Sequence, residues 1–159
     1  MRPEDIELLA APGAPVIHGD LVLVSVTAPD TAANSYRGGL RRVPLDGGPV
    51  RDFTQGFRDS APAISPDGTQ VAFLRAAPSV KPQLYVMPVD GGDARALTDL
   101  PLGAGAPVWA PDSRRIAFTA RVADPGRHGT PTAEGADAPD ASAEAPRRIT
   151  SLDYRFDEV

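Results

Sequence analysis

Apolar residues in this chain fall in short runs separated by turn residues, a pattern that predicts strands. Leu21-Val22-Leu23-Val24-Ser25-Val26 is rich in β-branched residues and short enough for a buried strand. Further on, Ala63 to Ser65, Gln70 to Arg75, Gln83 to Val89 and Ala94 to Thr98 read as strands A to D of one antiparallel unit. The links carry suitable turn chemistry. In Pro66-Asp67-Gly68, proline presets φ, aspartate bonds its own backbone and glycine accepts a positive φ. Asp46-Gly47 and Asp90-Gly91 are tight hairpin signals between strands C and D. The exception is the start, where Pro3 to Leu9 predicts a short helix. Pro3 suits a first helical turn, Glu4 and Asp5 suit the positive end of its dipole, and Ala11-Pro12-Gly13-Ala14-Pro15 ends it.

The strand pattern then repeats. Leu40 to Phe73 contains Val43-Pro44-Leu45-Asp46-Gly47-Gly48, Phe53-Thr54, Ala61-Pro62-Ala63-Ile64-Ser65-Pro66-Asp67-Gly68 and Val71-Ala72-Phe73. Leu84 to Phe118 contains Met87-Pro88-Val89-Asp90-Gly91-Gly92, Leu97-Thr98, Ala106-Pro107-Val108-Trp109-Ala110-Pro111-Asp112-Ser113 and Ile116-Ala117-Phe118. The offset is 44 positions at first and 45 after a one-residue slip. A period of about 40 to 45 residues made of short strands and turns is the signature of a β-propeller blade. A weaker, earlier copy puts Gly19-Asp20-Leu21-Val22 where Gly68-Thr69-Gln70-Val71 stand, without the Pro-Asp pair. The expected fold class is therefore all-β. It is a partial β-propeller of about two and a half four-stranded antiparallel blades, with a short N-terminal helix.

Ser113 stands in the second copy where Gly68 stands in the first. If that position is left-handed, serine costs about 1 kcal/mol relative to glycine. Otherwise the second turn has a slightly different shape.

Residues 123–146 break the pattern. Ala123 to Pro146 is 24 residues dominated by Ala, Pro, Gly, Asp, Glu and Thr, without periodicity. Such a stretch buries too little surface to offset the entropy of ordering it, and reads as a flexible insertion after strand B of the third blade. Ile149-Thr150-Ser151-Leu152-Asp153-Tyr154-Arg155-Phe156 regains apolar character, and the third blade is left half built. The expected organisation is a helical segment over 1–12 and the first blades over 13–159. Stacked repeats need about three or more units for stability, and open strand edges invite association. The chain is thus expected to be marginal alone and completed by later blades.

Composition narrows the function classes. The formal charge is -5, and Arg41-Arg42, Arg114-Arg115 and Arg147-Arg148 are scattered along the chain. Nucleic-acid binding needs clustered cations, so no nucleic-acid partner is expected. The 18 prolines and 15 glycines disfavour long helices. Cysteine is absent, which removes disulfides and thiolate metal sites and fits a reducing compartment. Met1-Arg2-Pro3-Glu4-Asp5 has no secretory character, and apolar runs such as Leu21 to Val24 fall far short of a membrane span. A soluble, cytoplasmic protein with no membrane partner is expected.

Candidate chemistry is sparse. A nucleophile elbow needs a serine flanked by glycines in Gly-x-Ser-x-Gly. Ser25, Ser35, Ser60, Ser65, Ser79, Ser113, Ser142 and Ser151 all lack that setting. His18 precedes a strand in a turn and His128 lies in the insertion, and neither setting suits a preorganised base. Asp46, Asp67, Asp90 and Asp112 sit where local backbone bonding explains them. Asp137, Asp140 and Glu144 lack the spacing of a calcium loop. Gly103-Ala104-Gly105 lacks the third glycine and following helix of a phosphate cradle. Trp109, matched with Ile64, reads as core in preference to an exposed binding aromatic. No catalytic, cofactor-binding or metal-binding residues are assigned to this chain, and no cofactor is expected.

The chain resembles the N-terminal part of prolyl oligopeptidase-family serine peptidases of the acylaminoacyl-peptidase type. The residues that carry the resemblance are Pro3-Glu4-Asp5-Ile6, Asn34-Ser35-Tyr36-Arg37, Val43 to Gly48, Asp59-Ser60-Ala61-Pro62 with Ser65 to Gly68, Lys81 to Val86, Asp90-Gly91-Gly92 with Ala96 to Asp99, and Trp109 to Ser113. It covers about residues 3 to 122 and resumes at Arg147. It implies an N-terminal propeller over an α/β-hydrolase domain that carries a Ser-Asp-His triad. That domain is absent from this chain, and no triad member maps onto it. The implied parent hydrolyses short peptides and releases N-terminal acylated residues, with the propeller as gate and the first segment packed on the hydrolase. The implied partners are the later blades and hydrolase domain of the same polypeptide and short peptide substrates, with homo-oligomerisation left open. The Ser-Pro-Asp-Gly turn is shared with TolB-type propellers, so the alternative is a non-enzymatic, TolB-like protein-binding module.

Overall fold

The computed structural model describes residues 2–122. Those up to Arg121 belong to one compact unit. The insertion expected over 123–146 and the apolar stretch from Ile149 to Phe156 lie outside the described residues, as do His128, Asp137, Asp140 and Glu144.

The described chain is all-β apart from a 3-10 helix over Pro3–Leu8. Its strands are β1 (Ala11–Pro12), β2 (Val16–His18), β3 (Leu21–Asp30), β4 (Ser35–Arg42), β5 (Arg51–Asp52), β6 (Arg58–Ile64), β7 (Gln70–Ala76), β8 (Gln83–Pro88), β9 (Arg95–Ala96), β10 (Val108–Trp109) and β11 (Ile116–Ala117). Consecutive strands pair antiparallel from β2 to β5 and again from β6 to β9, giving two four-stranded meanders. A single parallel bridge, Gly38 with Arg58, links them. The hairpin β10–β11 begins the pattern a third time.

Period-2 alternation along β7 explains how the meanders stack. Val71 and Phe73 point to one face and Ala72 and Leu74 to the other. The first pair packs with Leu21, Leu23, Leu40 and Met87, and the second with Leu84 and Ala104. Partly buried Trp109 and Ile116 of the third hairpin complete the second cluster. With a layer on each side, Val71, Ala72 and Phe73 are fully enclosed.

The repeat is visible in individual hydrogen bonds. Thr54 Oγ1 accepts from the Leu40 amide at 3.0 Å, and Thr98 Oγ1 accepts from the Leu84 amide at 2.9 Å. Beside each, the residue before the threonine donates its amide to the same strand-C residue's carbonyl, Phe53 to Leu40 and Leu97 to Leu84, both at 2.8 Å. A threonine hydroxyl thus replaces one ladder carbonyl, which lets β5 and β9 stay two residues long without orphaning a buried amide. The A–B turns match equally well. The Ser65 amide donates to Gln70 O and the Gly68 amide to Ser65 O; the Ala110 amide donates to Arg115 O and the Ser113 amide to Ala110 O.

Gly19, Gly68 and Ser113 have φ of +55°, +71° and +57°. The left-handed position is therefore kept in all three copies, and Ser113 bears the backbone strain that glycine avoids. The start of the chain departs from expectation. The expected short helix appears only as a 3-10 turn over Pro3–Leu8; Leu9 is extended, and Ala11 and Pro12 pair with Thr27 and Val26 of β3. Six residues are too few to offset helix nucleation, and Leu8 is 81% exposed, so the segment has no apolar stripe to bury.

Candidate functional site

The strongest polar cluster in the described residues stands on the β6–β7 hairpin. Register places Asp59 opposite Arg75. The Asp59 side chain is 0% exposed and takes a bidentate bond from Arg75, Nε to Oδ1 and Nη2 to Oδ2, both 2.8 Å. The Gly56 amide donates to Asp59 Oδ2 at 3.2 Å. A Cβ added at Gly56 would lie 2.3 Å from Asp59 Oδ1 and 2.5 Å from Arg75 Nε, so only glycine fits against the pair. The guanidinium carbon lies 5.2 Å from each of the Phe73 and Tyr85 ring centroids. Hydrogen bonding to Asp59 raises the Arg75 pKa against the opposing effect of burial. The cation is permanent and its fork geometry is locked.

Asp59 stands just before a break in the strand. β6 is irregular between Ser60 and Ala63, where Ala61 has φ +48°. The bulge shifts the register of β6 against β7 between the Asp59–Arg75 pair and Ala63. Sequence reasoning treated neither residue as a site. Its available signal was a failure of the repeat, since Ala104 and Ala120 occupy the matching positions and form an isolated bridge with each other.

The residues singled out from the sequence gather elsewhere, along the A–B turns. His18 Nε2 donates to Pro66 O at 3.0 Å, and its ring lies where a side chain on Gly68 would go. The Asp67 amide donates to Ser113 Oγ at 3.0 Å. Three successive turns are thereby tied side to side. Asp67 Oδ1 receives the Ser65 hydroxyl at 2.6 Å and the Thr69 amide and hydroxyl at 3.0 and 2.9 Å. These bonds, that from Ser65 foremost, hold its carboxyl below the ordinary 3.8. Asp112 accepts from the Arg114 amide, and Asp46 from the Gly48 amide, in the same local manner.

The amides of Gly103, Ala104 and Gly105 donate to Leu100, Pro82 and Thr119 carbonyls. They face the protein's own backbone instead of a phosphate. Trp109 is half-buried against the Ala72–Leu74–Leu84 cluster, and its Nε1 donates to Ala63 O at 2.9 Å, so it joins two copies of the repeat.

The chain resembles two curated peptidases and a number of solved structures. An uncharacterized peptidase of Bacillus subtilis, YuxL, is 40% identical over 67 residues, 42% of this chain and 10% of its own length. Dipeptidyl-peptidase 5 of Porphyromonas endodontalis is 28% identical over 162 residues, 98% of this chain and 22% of its own length. The chain therefore spans under a quarter of either relative. Pyrococcus horikoshii acylaminoacyl peptidase superposes with a TM-score of 0.58 at 24% identity, over 70% of this chain and 17% of its own. The β-propeller domain of the Trilobed protease from Pyrococcus furiosus, described as having an open velcro topology, gives a TM-score of 0.55 at 22% identity. That match covers 69% of this chain and 33% of its own. These structures show an all-β fold of propeller type. No family model matches the chain.

Proposed function

We propose that this chain, which matches the β-propeller portion of a prolyl oligopeptidase-family peptidase, is the gate of a serine peptidase acting on short peptides. In this reading β2–β5 and β6–β9 are two blades, β10–β11 opens a third, and later blades complete the ring. The hydrolase domain elsewhere in the polypeptide carries the Ser-Asp-His triad. It releases N-terminal acylated residues by acyl-enzyme formation, with an oxyanion hole of backbone amides and hydrolysis by water. The propeller restricts access so that folded proteins are spared. The protein works in the cytoplasm, a placement that the absence of cysteine favours.

The observation that carries this reading is the 40% identity to a peptidase across 67 residues, too long a stretch for a shared turn motif alone. A non-enzymatic, TolB-like binding module is the weaker reading, because both curated relatives are peptidases. The test is intact-mass analysis of the natural gene product with and without a fluorophosphonate probe, followed by assays on N-acetyl-aminoacyl and free dipeptidyl anilides. The expected result is a labelled species well above 16.6 kDa that prefers the acetylated substrate. A natural product of 16.6 kDa that takes no label would overturn the peptidase reading. Preference for the free dipeptidyl substrate would replace the acyl-residue specificity.

A further inference from the structure

We propose that the cleft beside Arg75 binds the main chain of an extended peptide, with a peptide carbonyl on the free edge of the guanidinium. The cleft has a volume of about 450 Å³, and its polar lining is Thr54, Gln55, Arg75 and Asp93, with Gly91 and Gly92 alongside. That volume falls in the usual range for ligand clefts.

A guanidinium has two usable forks. Asp59 occupies the Nε–Nη2 side of Arg75. The Nη1–Nη2 side makes no hydrogen bond to another described residue, while 26% of the side chain remains open. Asp59, Gly56 and the two aromatic rings already fix the plane of the group, so little side-chain entropy is lost when an acceptor arrives. The order within the site precedes the ligand.

The pair is also more than the architecture requires. Ala104 and Ala120 hold the same register in the next copy with no charge at all. A buried ion pair adds little net stability over apolar replacement, so holding the fold together is a weak reason to keep one here. Charge then selects the ligand class. Asp59 neutralises Arg75, and Asp93 leaves the cleft with an excess of negative charge. A phosphate or free carboxylate is disfavoured there, whereas a neutral carbonyl gains a charge-assisted bond without adding like charge. Gln55 and Asp93 supply acceptors for peptide N–H groups, and the glycines leave room for a backbone.

This inference stands apart from the peptidase reading, because its readout is binding and not hydrolysis. The experiment is an NMR titration of the full 159-residue chain with N-acetyl-trialanine amide, an uncharged peptide, following the Arg75 Nε–H and the Gly91 and Gly92 amides. We expect saturable shifts at all three. In Asp59→Ala/Arg75→Ala, which copies the alanine pair of the next repeat, affinity should fall by about tenfold or more, the loss of one charge-assisted bond. Should that variant not fold, Arg75→Lys retains a partner for Asp59 while removing the second fork, and the same loss is expected. An unmoved Arg75 resonance, or equal affinity in the variant that folds, would overturn the site. Inorganic phosphate binding at Arg75 more tightly than the peptide would overturn the ligand class and make it an anion site.

Discussion

The hairpins β6–β7 and β10–β11 carry one sequence pattern in two different surroundings. Both have an Ala-Pro pair ending three residues before the turn serine or alanine, the Pro-Asp turn, a left-handed residue at +71° or +57°, and an apolar-Ala-Phe run following it. Yet Phe73 is 0% exposed and Phe118 is 38% exposed. β7 has β6 and β8 beside it and packed layers on both faces, whereas β11 pairs only with β10 among the described residues. Where Asp59 and Arg75 form a bidentate ion pair, Ala104 and Ala120 meet as a bare bridge. The difference shows that the repeat specifies backbone and turn, while burial and charge at each copy depend on what lies beside it.

Enclosure of the strand-B phenylalanine should separate the two hairpins most. Phe73→Ala should cost about 3–5 kcal/mol and Phe118→Ala about 1 kcal/mol or less, read from urea midpoints at unchanged slope. Equal costs would mean that β11 is as enclosed as β7. At the turns, Ser65→Ala makes the first copy resemble Ala110 of the second. It removes the hydroxyl that receives the Gln70 amide at 2.9 Å and donates to Asp67, within a buried position. A loss of about 1–2 kcal/mol is expected, and Ala110→Ser should not produce a gain of that size.

Smaller effects separate backbone strain from the bond between turns. Ser113→Gly relieves about 1 kcal/mol of left-handed strain and gives up about as much with the bond from the Asp67 amide. Its net effect should lie within about 0.5 kcal/mol of zero, whereas Ser113→Ala keeps the strain and loses the bond. The alanine variant should therefore unfold at lower urea than the glycine variant; the reverse order would assign Ser113 no inter-turn role.

The smallest effect is electrostatic. Asp67 titrates below 3.8 in the folded protein, so its contribution is whole above that value and is lost as pH falls through the lowered one. Carbon-13 titration of the carboxyl should show the depression, and Ser65→Ala should bring it back toward the ordinary value.

Much of this is legible in the residues because it depends on neighbours a few positions away. The four strands of the central unit, the Pro-Asp turns and the positive φ that Gly68 permits are local properties, and the 44–45-residue offset aligns them. The N-terminal segment departs from its local preference for a physical reason. Its residues favour a helix start, and they do form a helical turn over Pro3–Leu8, but six residues cannot offset helix nucleation and the turn stays 3-10. Trp109 is recognisable as an inward residue, whereas its bond to Ala63 O requires knowing which copy stands beside it.

The all-β repeat, its turn chemistry and the positions of its apolar faces follow from propensity, steric limits on φ and period-2 alternation, all readable in the chain. The tertiary structure alone decided which copy is enclosed on both faces. It also decided that Asp59 and Arg75, sixteen positions apart, share a buried bond beside a cleft. Contacts between strands follow from register and bulges, and a one-residue shift at Ser60–Ala63 redirects every side chain beyond it.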